Sequence, residues 1–347
     1  MSDKKRGFPK FLKIVLLLML VGGIVVGYLG YQAFLGSSVT KNEPYLYVHT
    51  GDSYADVLKQ LEEKNIVTNV QFFDYVAKAM DYPSAVKPGK YKLTEGLSNR
   101  RLIGNLRGGY QEAVKFRFEN IRLKENFAAL LGKNFEADSV SFLNILQNNA
   151  VAESYGFTEA NFFSMFIPNT YEIYWNTSPD KIVARFHDEY NTFWNTERKE
   201  KAAALNLTPQ EVSVLASIVK GEALHRDEMP KIAGLYLNRL KRGILLQADP
   251  TVIFANNDFS IRRVLNKHLT IDNPYNTYRF KGLPPGPIML PSIAAIDAVL
   301  NYAKHDYIYM CAKDDFSGYH NFAVTQAEHL VNARKFQRAL DARNIKK

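Results

Sequence analysis

The chain has 347 residues, which is more than one ordinary hydrophobic core needs, so the length favours two or three domains. Hydrophobic residues make up 46% and charged residues 23% of the sequence, which excludes disorder throughout, collagen and coiled coil. A single cysteine excludes an intramolecular disulfide and a CxxC zinc or redox site. No HExxH, GxxxxGK or GxGxxG motif occurs, and we therefore predict no metal ion and no organic cofactor.

The N-terminus predicts a membrane anchor. Of the net charge of +9, a large share lies in residues 1–13, which hold five basic side chains and one acidic side chain. Residues 14–35 follow without a formal charge, a length that spans a bilayer as a helix. The run is longer than the apolar core of a cleaved signal peptide, so we favour an uncleaved anchor. Because basic residues stay on the cytoplasmic side, we expect tail 1–13 in the cytoplasm and the residues after the span on the outer side of the membrane.

The remainder of the chain predicts an α+β protein in several parts. Residues 36–44 are typical of a polar linker. Residues 45–110 contain alternating strand and helix patterns of a small α+β subdomain. Residues 111–204 are predicted as an intermediate α+β region, and residues 205–347 as a mostly helical or mixed catalytic domain.

A carboxylate stands at the end of the best-defined predicted helix. Thr208 begins a TPQE capping box with proline at the first helical position. Glu222 falls on the buried edge of the apolar stripe that this helix carries. Burial and the nearby C-terminal end of the helix dipole both raise the pKa of a carboxyl group, as a general acid requires. The alternative is a surface residue that pairs with Arg226.

Further polar residues follow in the next 60 positions. Glu228 is either a charge at the start of a helix over residues 230–240 or a group that supports the site or holds Arg226. Asp249 precedes Pro250 and suits a helix N-cap, yet Gln247 and Asp249 also suit a polyhydroxylated ligand. The two interpretations stay open.

An aromatic segment and a rigid loop complete the set of candidates. Tyr275, Asn276 and Tyr278 offer flat faces and an amide, which suit sugar rings, although packing explains most aromatic residues. Residues 282–288 (GLPPGPI) predict a fixed irregular loop.

Four motifs in this order resemble the MltG/YceG-like endolytic murein transglycosylases. They are LASIVKGEA (215–223), AGLYLNRLKRGILLQADPTV (233–252), NPYNTY (273–278) and GLPPGPI (282–288). The predicted anchor, a LysM-like subdomain at 45–110 and a FIPNTY segment also fit, so the resemblance covers essentially the whole chain.

The resemblance implies cleavage of the MurNAc-β-1,4-GlcNAc bond of nascent peptidoglycan strands, with a 1,6-anhydro end as product. It assigns the catalytic carboxyl, acid and then base, to Glu222. It gives a supporting or substrate-binding role to six others: Glu228, Gln247, Asp249, Tyr275, Asn276 and Tyr278. It also suggests contact with peptidoglycan synthases. The family often has an acidic residue and Lys where this chain has Lys220 and Gly221, and usually Thr or Ser where it has Ala248.

Two other functions compete with this expectation. A hydrolytic muramidase would use Glu222 with a second acid, Glu228 or Asp249, and would leave a reducing end. A non-enzymatic scaffold would bind peptidoglycan without cutting it. Nucleic-acid binding is disfavoured, because the basic cluster adjoins the predicted span.

Overall fold

The structure is a computed structural model that describes residues 10–343, and its fold is mixed α+β. Fourteen α-helices and six short strands occur within that range. The chain divides into two compact units. Unit 1 comprises residues 1–114 and 172–177, and unit 2 comprises residues 115–171 and 178–347. The predicted regions 111–204 and 205–347 therefore fall largely in one unit.

Unit 1 contains four helices and two strands. They are α1 (Lys10–Leu35), β1 (Tyr45–Val48), α2 (Tyr54–Glu63), α3 (Val70–Ala79), β2 (Gly89–Lys92) and α4 (Asn99–Gly108). β1 and β2 pair antiparallel, from Tyr45 opposite Lys92 to Val48 opposite Gly89. Helices α2, α3 and α4 are amphipathic, and their apolar faces bury a core that includes Leu61, Phe73 and Leu102.

Helix α1 contains the predicted span 14–35. It is long and apolar enough to cross a membrane, a test that a signal sequence also passes. Most of the predicted tail 1–13 lies outside the described residues. The last turns of α1 belong to unit 1, because the Asn99 amide donates to the Ala33 carbonyl oxygen at 2.9 Å. Ser38 and Val39, in the predicted linker, are also buried.

A second two-stranded sheet is formed by β3 (Val114–Arg117) and β4 (Thr170–Ile173). In unit 2 an aromatic core surrounds Phe127 and Phe186, and Tyr171 stacks on Phe118 with ring centroids 5.6 Å apart. Tyr171 ends the FIPNTY segment, and its hydroxyl donates to the Ile167 carbonyl oxygen at 2.6 Å. This segment therefore builds the core of unit 2.

Ten helices and one further sheet complete unit 2. The first five helices are α5 (Lys124–Asn134), α6 (Ser139–Leu146), α7 (Asn149–Ser154), α8 (Pro179–Phe193) and α9 (Thr196–Ala204). The others are α10 (Pro209–Glu222), α11 (Met229–Lys241), α12 (Asp249–Ala255), α13 (Ile293–Leu300) and α14 (Gln326–Ala342). β5 (Tyr309–Ala312) and β6 (His320–Ala323) pair antiparallel and contact α14.

Helix α10 is the centre of unit 2. Its N-terminus has the predicted capping box, in which the Thr208 side chain accepts from the Glu211 backbone N–H. Residues 212–219 are all buried, because α11, α12 and α13 pack around the helix. The sequence predicts one apolar stripe, whereas the neighbouring helices also cover Ser213 and Ser217. The rigid loop is fixed here, since the Ile288 N–H donates to the Ser217 hydroxyl at 3.1 Å.

Candidate active site

A cleft of about 580 Å³ opens in unit 2 at the end of α10. Side chains from α10, α11, α12 and α14 and from strands β5 and β6 line it. Among them are Glu222, Tyr236, Arg239, Gln247, Asp249, Tyr278, Cys311 and His320. A larger cavity of about 780 Å³ lies elsewhere in unit 2, and no predicted site residue lines it. The smaller cleft is therefore the candidate active site.

Glu222 is the last residue of α10 and is half-buried. The hydroxyl of Tyr236, from α11, donates to its Oε1 at 2.8 Å. Burial raises the pKa of Glu222 to about 7, the Tyr236 hydrogen bond opposes this rise, and the charge of Asp249 adds to it. No ion pair joins Glu222 to Arg226 in residues 10–343. At neutral pH this carboxyl group is protonated in a large fraction of the molecules, and it can donate that proton.

Asp249 lies across the cleft at the start of α12. Ala248, one residue earlier, is the N-cap, and the Asp249 carboxylate instead accepts a hydrogen bond of 2.6 Å from the Tyr278 hydroxyl. Burial, and then this bond, raise the pKa of Tyr278. Asp249 and Tyr278 are thus a hydrogen-bonded pair whose polar atoms face the same cleft as Glu222.

Arg239 holds the segment that carries Gln247. Its buried guanidinium donates to the carbonyl oxygens of Leu246 and Ile308, each at 2.7 Å. It also donates to the Gln247 side chain at 3.3 Å. Gln247 is exposed, and its backbone has a φ of 53°, a left-handed conformation that these contacts stabilise.

Glu228 is a buried partner of His320. Its two carboxylate oxygens accept from the His320 backbone N–H and from Nδ1, both at 2.8 Å. The Glu228 side chain is 5% exposed, and the His320 side chain is 15% exposed. Because a carboxylate can only accept, Nδ1 carries the proton, and the ring is fixed on the wall of the cleft.

Three predicted site residues do not line the cleft, namely Glu228, which lies behind His320, and Tyr275 and Asn276. Asn276 is buried, and its amide donates to the carbonyl oxygens of Leu269 and Ile271, both at 2.9 Å. Tyr275 is half-buried and its ring lies 4.7 Å from that of Phe254. Both residues stabilise the loop that presents Tyr278.

The site also contains residues that the sequence interpretation missed. Tyr236 and Arg239 lie in the motif at 233–252, and their spacing of three places them on one face of α11. His320 is 98 positions from Glu222 in the chain. The only feature that could have drawn attention to it is a titratable side chain at the start of the short strand HNFA.

Comparison with known proteins identifies the family. The sequence profile of the YceG-like family matches residues 46–335. The chain belongs to the YceG-like family. The match confirms the resemblance that the four motifs predict.

Relatives of known name cover most of this YceG-like chain. An endolytic murein transglycosylase of Bacillus subtilis is 27% identical over an alignment of 321 positions, which covers 86% of this chain and 86% of that protein. One of Streptococcus pneumoniae is 26% identical over an alignment of 355 positions, gaps included, which covers 91% of this chain but only 63% of the relative.

A solved structure shares the fold. The 2.6 Å crystal structure of a YceG-like protein from Listeria monocytogenes has a TM-score of 0.54 and 22% identity. It covers 83% of this chain and 98% of the Listeria chain.

Proposed function

We propose that this chain is a membrane-anchored endolytic lytic transglycosylase that cuts nascent peptidoglycan strands. The observation that carries the proposal is Glu222, a carboxyl with a pKa of about 7 in a polar cleft. The activity named for the Bacillus and Streptococcus relatives supports the same reaction. The enzyme is then a lyase that acts on the MurNAc-β-1,4-GlcNAc bond.

The reaction needs one carboxyl group in two protonation states. Glu222 first donates its proton to the oxygen that bridges the two sugars, and the bond from C1 to that oxygen breaks. The 6-hydroxyl of the same MurNAc then attacks C1, and Glu222, now a carboxylate, takes the hydroxyl proton. A 1,6-anhydro ring forms, no water is consumed, and Glu222 regains its starting state.

The surrounding side chains have distinct supporting roles in this proposal. Tyr236 orients the Glu222 carboxyl through the 2.8 Å hydrogen bond. Asp249 and Tyr278 bind sugar hydroxyls on the other side of the cleft. Glu228 does not touch substrate and positions His320, whose Nε2 has no hydrogen-bond partner in residues 10–343 and is available to a sugar.

The N-terminal part supports a location of this activity at the membrane. Helix α1 supports an anchor by its length and apolar character, and the basic residues before it support a cytoplasmic N-terminus. Unit 1 has the strand, helix, helix, strand order of the predicted LysM-like subdomain, and we propose that it binds glycan. Contact with peptidoglycan synthases stays a prediction.

The test compares products from uncrosslinked glycan strands. The full chain in detergent is used, because the end of α1 is hydrogen-bonded within unit 1. Wild type, Glu222→Gln and the matched control Glu200→Gln, on the exposed surface of α9, are each incubated with strands and the products are weighed. We expect internal fragments with anhydro-MurNAc ends from wild type and control, and none from Glu222→Gln.

Other outcomes select the competing functions. Reducing ends, heavier by one water, would identify a hydrolase in which Asp249 is the second carboxylate, since its exposed carboxylate lies in the same cleft. Binding without cleavage by folded wild-type protein would identify a scaffold.

A further inference from the structure

Two adjoining cavities on unit 2 form a second concave surface, which shares no residue with the cleft at Glu222. Their volumes are about 260 and 460 Å³, and Asn120 and Lys220 line both. We call this surface the cationic groove, because its walls carry the side chains of Arg117, Arg122, Lys220 and Arg226. Glu119 is its only carboxylate among the described residues that line it.

Most of this positive charge is not neutralised by the protein. Glu119 pairs with Arg117 at 3.6 Å, and both side chains are largely exposed. Within residues 10–343, no ion pair is formed by the other three cations, which are Arg122, Lys220 and Arg226. Unpaired cations around a concave surface concentrate anions there. The groove therefore fits a ligand with negative oxygens.

The groove lies on the far side of the helix end that carries Glu222. Lys220 and Glu222 are two positions apart on α10, so their side chains point about 200° apart around the helix axis. Between them, Gly221 is exposed and has no side chain. A Cβ there would lie 2.9 Å from the Cβ of Pro250, so Gly221 packs closely against α12. Gly221 also lines the groove, so the groove reaches the residue next to Glu222.

The length of a short peptide matches this crossing. A helix with its side chains is about 10–12 Å across, and an extended peptide covers about 3.3–3.6 Å per residue. About four residues thus reach from one side of α10 to the other. Murein carries short acidic peptides, or stems, on its MurNAc units, and such a stem is long enough to reach the groove from a strand held at Glu222.

We propose that the cationic groove binds the carboxylates of the peptide stem on the glycan strand held at Glu222. This inference rests on the proposed function, because it takes murein as the substrate. It deepens that function, since the enzyme then prefers strands whose stems are present and carry free carboxylates.

The direct test measures binding without cleavage. The full chain with Glu222→Gln, in detergent, is titrated by calorimetry with three strand preparations: intact stems, stems whose carboxylates are converted to neutral amides, and strands stripped of stems. We expect intact strands to bind about tenfold more tightly than the other two, as for a charge-assisted contact. The difference should shrink at high salt.

Charge variants locate the contact. Lys220→Glu in the same background should abolish the difference, whereas Lys199→Glu, an exposed lysine of α9, should retain it. If the Lys220→Glu protein has a much lower Tm than its parent, Arg226→Gln is used in its place, because Arg226 is an exposed residue of the same groove. Equal affinity for all three strands would overturn the proposal. Equal binding of intact and amidated strands would also overturn the proposal. The same holds if the Lys199→Glu protein loses the affinity difference as fully as the Lys220→Glu protein.

The two proposals fail in different ways. Wild type that releases anhydro ends at equal rates from intact and stripped strands overturns the groove alone. Wild type that cleaves neither strand, while the Glu222→Gln protein binds with a carboxylate preference that depends on Lys220, overturns the enzyme and retains the groove.

Discussion

Glu222→Gln should make the protein more stable at alkaline pH and leave its stability nearly unchanged in acid. In the folded state the pKa of Glu222 is raised above its ordinary value, so the folded protein holds this proton more tightly than the unfolded chain. Below about pH 4.5 both states are protonated and the group has no effect. Stability falls as the pH rises from 4.5 to 7, and above 7 the full loss is present. The amide of Gln carries no charge and escapes this loss.

The magnitude follows from the two pKa values. The pKa of Glu222 is about 7 against an ordinary value of 4.5, and one pKa unit corresponds to about 1.4 kcal/mol. The ionised carboxylate thus costs the folded state about 3 kcal/mol. For a unit of this size, 1 kcal/mol changes the Tm by about 2–4 °C. At pH 8.5 the Glu222→Gln protein should therefore melt roughly 6–12 °C above wild type.

The assay is thermal unfolding of the full chain in detergent at several pH values between 4.5 and 8.5. Trp194 is buried in unit 2, and a Trp175→Phe background leaves it as the only tryptophan. Its fluorescence then reports on the unit that contains Glu222. Wild type should lose stability relative to Glu222→Gln as the pH rises.

The control is Glu200→Gln, an exposed carboxylate that should follow wild type at every pH. Parallel melting curves for wild type and Glu222→Gln across this range would refute a buried carboxyl with a raised pKa. A wild-type advantage that grows with pH would show that the carboxylate is stabilised as an anion.

Three further substitutions test other contacts. Tyr236→Phe removes the hydrogen bond that lowers the pKa of Glu222, so the alkaline limb of the pH–rate profile should move to higher pH; a limb that stays or moves down contradicts the assignment. Glu228→Gln replaces a carboxylate oxygen that accepts from His320 by an amide donor and should cost about 1–3 kcal/mol, seen as a lower Tm. Asn276→Ala leaves two partly buried carbonyl oxygens without this donor and should cost about 1 kcal/mol; unchanged melting with weaker glycan binding would instead indicate a substrate contact.

Local patterns determined much of the fold from the sequence. The TPQE box, the apolar spacing after it and the position of Glu222 are short-range features, and α10 begins and ends where they predict. The apolar run of α1 and the elements of unit 1 are equally local. Family motifs located Gln247, Asp249 and Tyr278, which line one cleft.

Only the tertiary structure decided how these residues are used. The surroundings of Asn276 are supplied by a loop that folds back on itself, so its amide faces carbonyl oxygens rather than the cleft. The partner of Glu228 is His320, 92 positions away, a separation at which no periodicity carries information. The charge at Lys220 is plain in the sequence. Its place in a groove across α10 from Glu222 depends on where β3 and α13 pack, because contacts between distant segments are set by the whole core.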